Sequence, residues 1–287
     1  MLIVDSPVGK QYLDAMTTLL QRRRLADPDG GVWEAADLQW WWPRDPHDEP
    51  GRASIWYDES GPAAAAVLTA WSPKRAALDV LGDVSRREPW EWLASVAPGV
   101  AAGHGGLESP VPEGDQAWEE ALARLGFSPS DETYLSMWRD AAEVPSPPAA
   151  PPGYRVVTRA ERTGGVHWLA ARNGDAVESR LRQCSLYDPR CDIAIIDEAT
   201  DRIAAYSLDW PDLETGVGLV EPVRVEDDYS GRGIGGVMLR HGLAALRDAG
   251  CSRLKVSSIE ANTPAVRLYQ GAGFAVNQRE RTWRLSA

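Results

Sequence analysis

Cysteine is scarce in this sequence: Cys184, Cys191 and Cys251 are the three in 287 residues. An odd number excludes a fully paired disulfide framework, the spacing matches no zinc site, and reduced thiols are expected. Long hydrophobic runs are also missing. No apolar stretch approaches 18 residues, and the N-terminal segment, where Met1-Leu2-Ile3-Val4 runs into Asp5, lacks the layout of a signal peptide. A cytoplasmic chain with no membrane association is expected. Nor is there any excess of positive charge. The net charge is −12; residues 1–153 carry 24 acidic and 12 basic side chains, and residues 154–287 carry 18 of each. A nucleic-acid partner would need a basic face and is excluded. The acidic half reads either as a solubilising surface or as an attractor for a cationic substrate.

The composition, 44% hydrophobic and 25% charged, is that of a globular chain long enough for two domains. Val8, Leu13, Met16, Leu19 and Leu20, followed by Arg22-Arg23-Arg24, form an amphipathic pattern with cations at its C-terminal end, which predicts a helix. The stretch Val144–Gly153, with five prolines, sustains neither a helix nor an interior strand. It reads as a stiff linker (144–153) between domains at 1–143 and 154–287. In the second domain, helical patterns at about 160–173 and 176–184 precede strands at about 192–197, 202–209 and 216–225. A helix at 235–249, a strand at 253–257, a helix at 263–271 and two terminal strands complete it. This mixture predicts an α/β (α+β) fold, a sheet covered by helices.

The first half echoes the second. Asp58-Glu59 and Trp71 are spaced as Asp197-Glu198 and Trp210 are, with Ala65-Ala66 matching Ala204-Ala205 between them. Glu113 through Phe127 aligns without gaps on Glu260 through Phe274, sharing the glutamate and the closing Gly-Phe. Two echoes in one order predict a duplicated domain. The first copy has no glycine cluster between Leu81 and Trp92, and Leu122 replaces Tyr269. It is therefore expected to lack a phosphate site.

That glycine cluster is the sharpest signal in the chain. Val223-Arg224-Val225 ends an apolar strand, Glu226-Asp227-Asp228-Tyr229 makes an acidic turn, and Ser230-Gly231-Arg232-Gly233-Ile234-Gly235-Gly236 opens a helix. Glycines at a strand-to-helix junction let backbone N–H groups converge on an anion at the positive end of the helix dipole. Gly231, Gly233 and Gly236 satisfy the dinucleotide-binding pattern, but the acidic turn between strand and glycines is the wrong context for it.

The pattern Val225-x-x-x-Tyr229-x-Gly231-Arg232-Gly233-Ile234-Gly235 resembles the acetyl-CoA signature of the GNAT N-acetyltransferase superfamily. Asn262-x-x-Ala265-x-x-Leu268-Tyr269-x-x-x-Gly273-Phe274 resembles the family's second motif. The resemblance covers most of 154–287 and implies a tandem GNAT architecture with a degenerate first copy, each copy a mixed, mostly antiparallel sheet flanked by helices. It implies acetyl-CoA as cofactor, with coenzyme A as product and no metal. The implied cofactor contacts are Val223, Arg224 and Val225 along the arm, the run from Ser230 to Gly236 around the pyrophosphate, and Asn262 and Tyr269. Where the family opens its signature with arginine or glutamine, this chain has Ser230.

The resemblance further implies N-acetyl transfer to an amine of a small molecule or a peptide N-terminus by direct attack, with Tyr269 as general acid. A protonated amine cannot attack, so a base is needed. Glu221, on the strand face that alternation assigns to Val223 and Val225, is the candidate base, with Glu260 behind it. The alternative from another class is a non-catalytic acyl-CoA-binding sensor or assembly module. Thr263 reads as a helix N-cap and Pro264 as the first helical residue. Trp33, Trp40-Trp41-Trp42 and Trp56 read as core or inter-domain packing or as an aromatic wall for an acceptor. His167 and His241 read as structural. The acceptor's identity and the oligomeric state stay open.

Overall fold

The computed structural model describes residues 3–42, 48–49, 51–72 and 75–287, without the side chains of residues 71, 72 and 75. The Trp71 side chain of the repeat echo and the opening Met1-Leu2 lie outside the described residues. In chain order, β1 (Ile3–Asp5), α1 (Gly9–Ala26), α2 (Ala35–Trp41), β2 (Ala53–Asp58), β3 (Gly61–Ser72), β4 (Arg75–Gly82), α3 (Arg87–His104), β5 (Leu107–Pro112), α4 (Gln116–Arg124) and β6 (Ser128–Asp140) come first. Then follow β7 (Tyr154–Thr158), α5 (Ala170–Asn173), α6 (Val177–Leu181), β8 (Asp192–Asp197), β9 (Arg202–Asp212), β10 (Val217–Val225), α7 (Ile234–Ala249), β11 (Arg253–Ile259), α8 (Thr263–Gly271) and β12 (Ala275–Leu285). This is the mixed, mostly antiparallel sheet architecture with flanking helices that the sequence predicts.

The chain forms two compact units, one of residues 1–135, 259–261 and 278–287, the other of residues 136–258 and 262–277. In the first, β1, β2, β3 and β4 pair antiparallel in sequence, and β4 pairs parallel with β5. In the second, β7, β8, β9 and β10 repeat that antiparallel series and β10 pairs parallel with β11. The two units thus repeat one strand order and sense, as a duplication requires. Their closing strands do not follow chain order. Residues 280–285 of β12 pair with residues 107–112 of β5 and finish the first unit's sheet. The end of β6 finishes the second's beside β11, where Ser136 Oγ lies 3.3 Å from Ser257 Oγ.

Each sheet is covered by amphipathic helices. The stripe Tyr12, Leu13, Met16, Leu19 and Leu20 of α1 is buried, and Glu34 and Asp37 cap α2 reciprocally. The first unit's core packs Leu78, Val80, Leu93, Val111, Trp118 and Phe127 together; in the second, Ile193 and Ile195 of β8 meet Ile234 and Met238 of α7. The tryptophans resolve as packing. Trp40, Trp41, Trp42 and Trp56 are buried, and Trp33 stands edge-on to Trp41 with ring centroids 4.8 Å apart.

Three local expectations are corrected. Residues 160–169 are not helical, and α5 and α6 are short. The buried Arg159 guanidinium donates to the carbonyls of Arg162 (2.8 Å), Gly164 (3.2 Å) and Gly165 (3.3 Å), which are thereby held in a loop. The two terminal strands are a single strand, β12. The N-cap of α8 is Asn262 rather than Thr263: its side chain accepts from Ala265 N, and Pro264 falls in the first turn. The proline-rich segment is pinned by Arg247, which donates to Val144 O (2.5 Å), and by a 2.9 Å contact between His241 Nε2 and Pro148 O.

Candidate active site

Parallel pairing between β10 and β11 lasts three residues, from Val217↔Arg253 to Leu219↔Lys255. Both strands continue beyond it, β10 to Val225 and β11 to Ile259. The β11-facing edge of residues 220–225 therefore has no strand partner among the described residues. On its other edge β10 pairs with β9, but the register jumps between Val220↔Asp209 and Val223↔Ser207. This bulge at Glu221-Pro222 puts one extra residue into β10 opposite β9 and interrupts the ladder there.

The bulge also breaks the alternation from which the facing of Glu221 was expected. Val220 and Val223 pair with Asp209 and Ser207, two residues apart on one face of β9, so strict alternation does not pass through residue 221. Trp210 Nε1 donates to the Glu221 carbonyl at 2.8 Å and fixes the bulge. The Glu221 side chain is half-buried, and its charge acts on Tyr269. Tyr269, on α8 and 8% exposed, packs edge-on to Phe274. Burial, reinforced by the Glu221 carboxylate, raises the Tyr269 hydroxyl above the usual tyrosine range, so it holds its proton throughout the neutral range.

At the end of β10, a short 3-10 turn (Asp227–Tyr229) leads into the glycines. Gly231 (φ +76°) and Gly233 (φ +75°) adopt left-handed backbone, with nothing within 4 Å of where a Cβ would stand. Among the described residues no side chain caps α7, and its first intrahelical bond runs from Val237 N to Gly233 O. The N–H groups of Ile234, Gly235 and Gly236 precede that bond and point out of the positive helix end. Gly235 lies against the strand, its missing Cβ 3.1 Å from Val225 Cγ2. Ser230 differs: its N–H is used inside the turn, on Asp227 O at 3.2 Å.

The side chains around this cradle hold the loop. Arg232 lies over the Tyr229 ring (5.1 Å) and donates to Tyr154 Oη (3.1 Å) and Asp228 O (2.8 Å). Tyr229 Oη donates to Asp197 Oδ2 at 3.0 Å. Arg224 pairs with Asp227 (3.0 Å). Glu260, the second candidate base, forms a close ion pair with Arg279 (2.6 Å).

Two buried carboxyl groups in this unit, Asp192 and Asp209, were not singled out from the sequence. Asp192 is fully buried and receives Trp168 Nε1 (2.7 Å), Tyr187 Oη (2.8 Å) and His167 Nε2 (2.8 Å). His167 Nδ1 accepts from Leu169 N, which leaves the proton on Nε2 and makes His167 structural. Asp209 lies under α7, bonded by Ser207 Oγ to both oxygens at 2.9 Å. Burial drives its pKa well above the carboxylate range. A serine and an aspartate two apart inside the apolar run 203–210 were the available clue. All three cysteines are buried, and burial pushes the Cys251 thiol up to about 12. Among the described residues no cluster of histidine, cysteine and carboxylate side chains suits a metal ion, and no helix is long and apolar enough to cross a membrane.

Residues 138–274 match the model of the acetyltransferase (GNAT) family. A mycothiol acetyltransferase from Thermobifida fusca is 36% identical over 95 residues, 31% of this chain and 29% of that protein. One from Corynebacterium aurimucosum is 32% identical over 77 residues, 26% of this chain and 25% of that protein. The chain thus spans less than a third of the length of these curated relatives. Among solved structures, a tandem GNAT protein from the clavulanic acid biosynthesis pathway matches with a TM-score of 0.67 at 17% identity, covering 100% of this chain and 98% of that one. A GCN5-related N-acetyltransferase from Sphaerobacter thermophilus gives 0.62 at 19%, covering 99% and 95%. At these identities the likeness carries the fold: two GNAT copies in tandem.

Proposed function

From the premise that the second half of this chain is an acetyltransferase domain of the GNAT family, we propose that the protein moves an acetyl group from acetyl-CoA to an amine of a small molecule by direct attack. The observation that carries this reading is a juxtaposition. The uncapped, glycine-flanked N-terminus of α7 lies at the end of the same strand whose free edge opens away from β11, and buried Tyr269 is within electrostatic reach of that strand's bulge.

The residues fit the cofactor. Open space at Gly231 and Gly233 and the outward amides of Ile234, Gly235 and Gly236 suit a pyrophosphate. Arg232 braces the loop instead of competing for the anion. The free edge of residues 223–225 suits an amide-bearing arm, and a backbone N–H aimed at a developing oxyanion contributes roughly 3–4 kcal/mol. When bound, acetyl-CoA supplies the activated acyl group and a sulfur leaving group. Tyr269 keeps on Oη the proton that a departing thiolate requires. Glu221, half-buried at the bulge, takes the proton of the incoming ammonium, whose loss at neutral pH costs roughly 4 kcal/mol. Asn262 caps α8 and so sets the position of Tyr269 on its second turn.

The first unit is a degenerate copy: its loop from β4 to α3 is short, Asp83–Arg86, and has no glycine cluster. The names of the curated relatives place mycothiol chemistry in the acceptor panel beside polyamines, aminoglycosides and amino-acid derivatives. The test is release of free CoA thiol from acetyl-CoA across that panel. Amine-dependent release supports the enzyme. Tight acetyl-CoA binding with no release for any amine supports the acyl-CoA-binding module that Ser230, which lacks a cationic contact, favours.

A further inference from the structure

The turn that closes α8 holds Tyr269 from behind. The Tyr269 carbonyl accepts from Ala272 N (3.0 Å) and Phe274 N (3.1 Å), and the Phe274 ring stands edge-on to the tyrosine with centroids 6.2 Å apart. Residues 272–274 therefore fix both the backbone and the ring of the candidate acid.

Those residues are held in turn by Arg139, a half-buried side chain near the end of β6. Its Nη1 donates to Ala272 O, and its Nη2 donates to Glu143 O at 2.5 Å. One planar fork thus spans two carbonyls at the negative end of α8, where a cation is favoured. The approach is close: a Cβ on Gly273 would lie 3.0 Å from Arg139 Cζ. The second carbonyl leads to the other helix of the site. Glu143 closes the turn 141–143, in which Ala141 N donates to Ser252 O (3.0 Å), three residues past α7. The next residue, Val144, accepts from Arg247 in the last turn of α7 at 2.5 Å. Through this turn Arg139 ties the C-terminal end of α8 to that of α7, whose N-terminal amides form the glycine cradle.

The repeat supplies a control. The same turn closes α4, with Phe127 N donating to Leu122 O at 3.1 Å. Gly126, at φ +87°, matches Gly273, at φ +88°. Yet a Cβ on Gly126 would meet Leu285 Cδ1, at 3.4 Å, and no guanidinium. A cation at a helix end would stabilise either copy. It stands only in the copy that keeps a tyrosine, since Leu122 replaces Tyr269 in the other.

We propose that Arg139 is a positioning residue for the reaction, holding Tyr269 at a set place relative to the α7 cradle. Arg139 precedes the proline-rich segment, in the sequence of the first copy, but folds into the second unit. The degenerate copy thus contributes a part that residues 154–287 lack. The consequence for turnover rests on the acetyltransferase reading, whereas the hold on Tyr269 does not.

Arg139→Gln removes charge and fork together, while Arg139→Lys keeps the charge without the fork. Both are compared with the intact wild-type protein carrying 13Cζ-labelled tyrosine, the Tyr269 resonance being identified by its loss in Tyr269→Phe. Burial first, then Glu221 and Asp209, raise that hydroxyl, so the wild-type resonance should hold its position up to about pH 11. In either variant a loosened α8 admits water, and the resonance is expected to begin titrating below that pH. Turnover should fall at least roughly tenfold, with the KM for acetyl-CoA within about twofold. An unmoved Tyr269 resonance in either folded variant would overturn the proposal. So would wild-type titration and turnover in Arg139→Lys, which would reduce the contact to a charge at a helix end. If the resonance responds but no amine releases CoA thiol, the hold on Tyr269 stands and the acetyltransferase reading falls.

Discussion

Asp209 stands where a side chain at residue 242 would have to go: a Cβ on Gly242 would lie 2.3 Å from Asp209 Oδ2 and 2.9 Å from its Cγ. The helix α7 can approach β9 only because one partner is glycine. Gly242→Ala is therefore expected to cost about 1–3 kcal/mol by overpacking, and Asp209→Ser in the same chain should restore much of it. Urea unfolding of both single variants and the double variant measures this coupling; strictly additive losses would show that the two residues do not meet.

The role given to Tyr269 leads to a split between kinetic constants. Tyr269→Phe keeps the ring against Phe274 and removes the proton. Turnover is expected to fall on the order of 10²-fold, with the KM for acetyl-CoA nearly unchanged. Because the hydroxyl is raised above the usual tyrosine range by burial and then by Glu221, the alkaline limb of the wild-type profile should not begin below pH 10.

At the glycine cradle the effect should fall on affinity instead. Gly233 sits at φ +75° with open space around it, so Gly233→Ala meets no clash and carries a purely conformational penalty of about 1–2 kcal/mol. The KM for acetyl-CoA should rise roughly 5- to 30-fold, while Tyr269 chemistry in the bound state is preserved. A full kinetic comparison at saturating acceptor reads both constants.

Asp79 makes stability depend on pH. It is fully buried, and burial pushes its carboxyl up to about 7 despite the hydrogen bond from Trp33. Between the unfolded value near 4 and about pH 7 the folded chain binds one more proton than the unfolded chain. Stability should fall as pH rises through that window and level off above it. Asp79→Asn should flatten the slope and be the more stable form at pH 8, by an amount on the order of a few kcal/mol. Denaturation midpoints at pH 5 and pH 8 decide it.

Much of the second copy was legible because its signals are local. Alternation and apolar runs mark β8, β9 and β10, and the glycines mark the start of α7. The spacing Asn262 to Phe274 gives α8 within one residue, the cap falling on the asparagine because its side chain reaches Ala265 N. What could not be read depends on partners distant in sequence. Residues 160–169 have helical periodicity, yet Arg159 captures their carbonyls. Asp192 is an unremarkable acid until His167, Trp168 and Tyr187 converge on it. The bulge at Glu221 answers to Trp210, eleven residues earlier on another strand. The opening between β10 and β11 exists only in the register, since nothing in either strand's composition says where pairing ends.

The strand that finishes the first unit's sheet has a consequence during synthesis. Val111 of β5 cannot meet Arg281 until about 170 further residues have been made, which at ~5–20 residues per second takes on the order of ten seconds or longer. For that interval the early half offers an open β5 edge, and a sheet edge without its neighbour is a template for the wrong chain. The nascent protein should therefore depend on chaperone cover in proportion to its translation time.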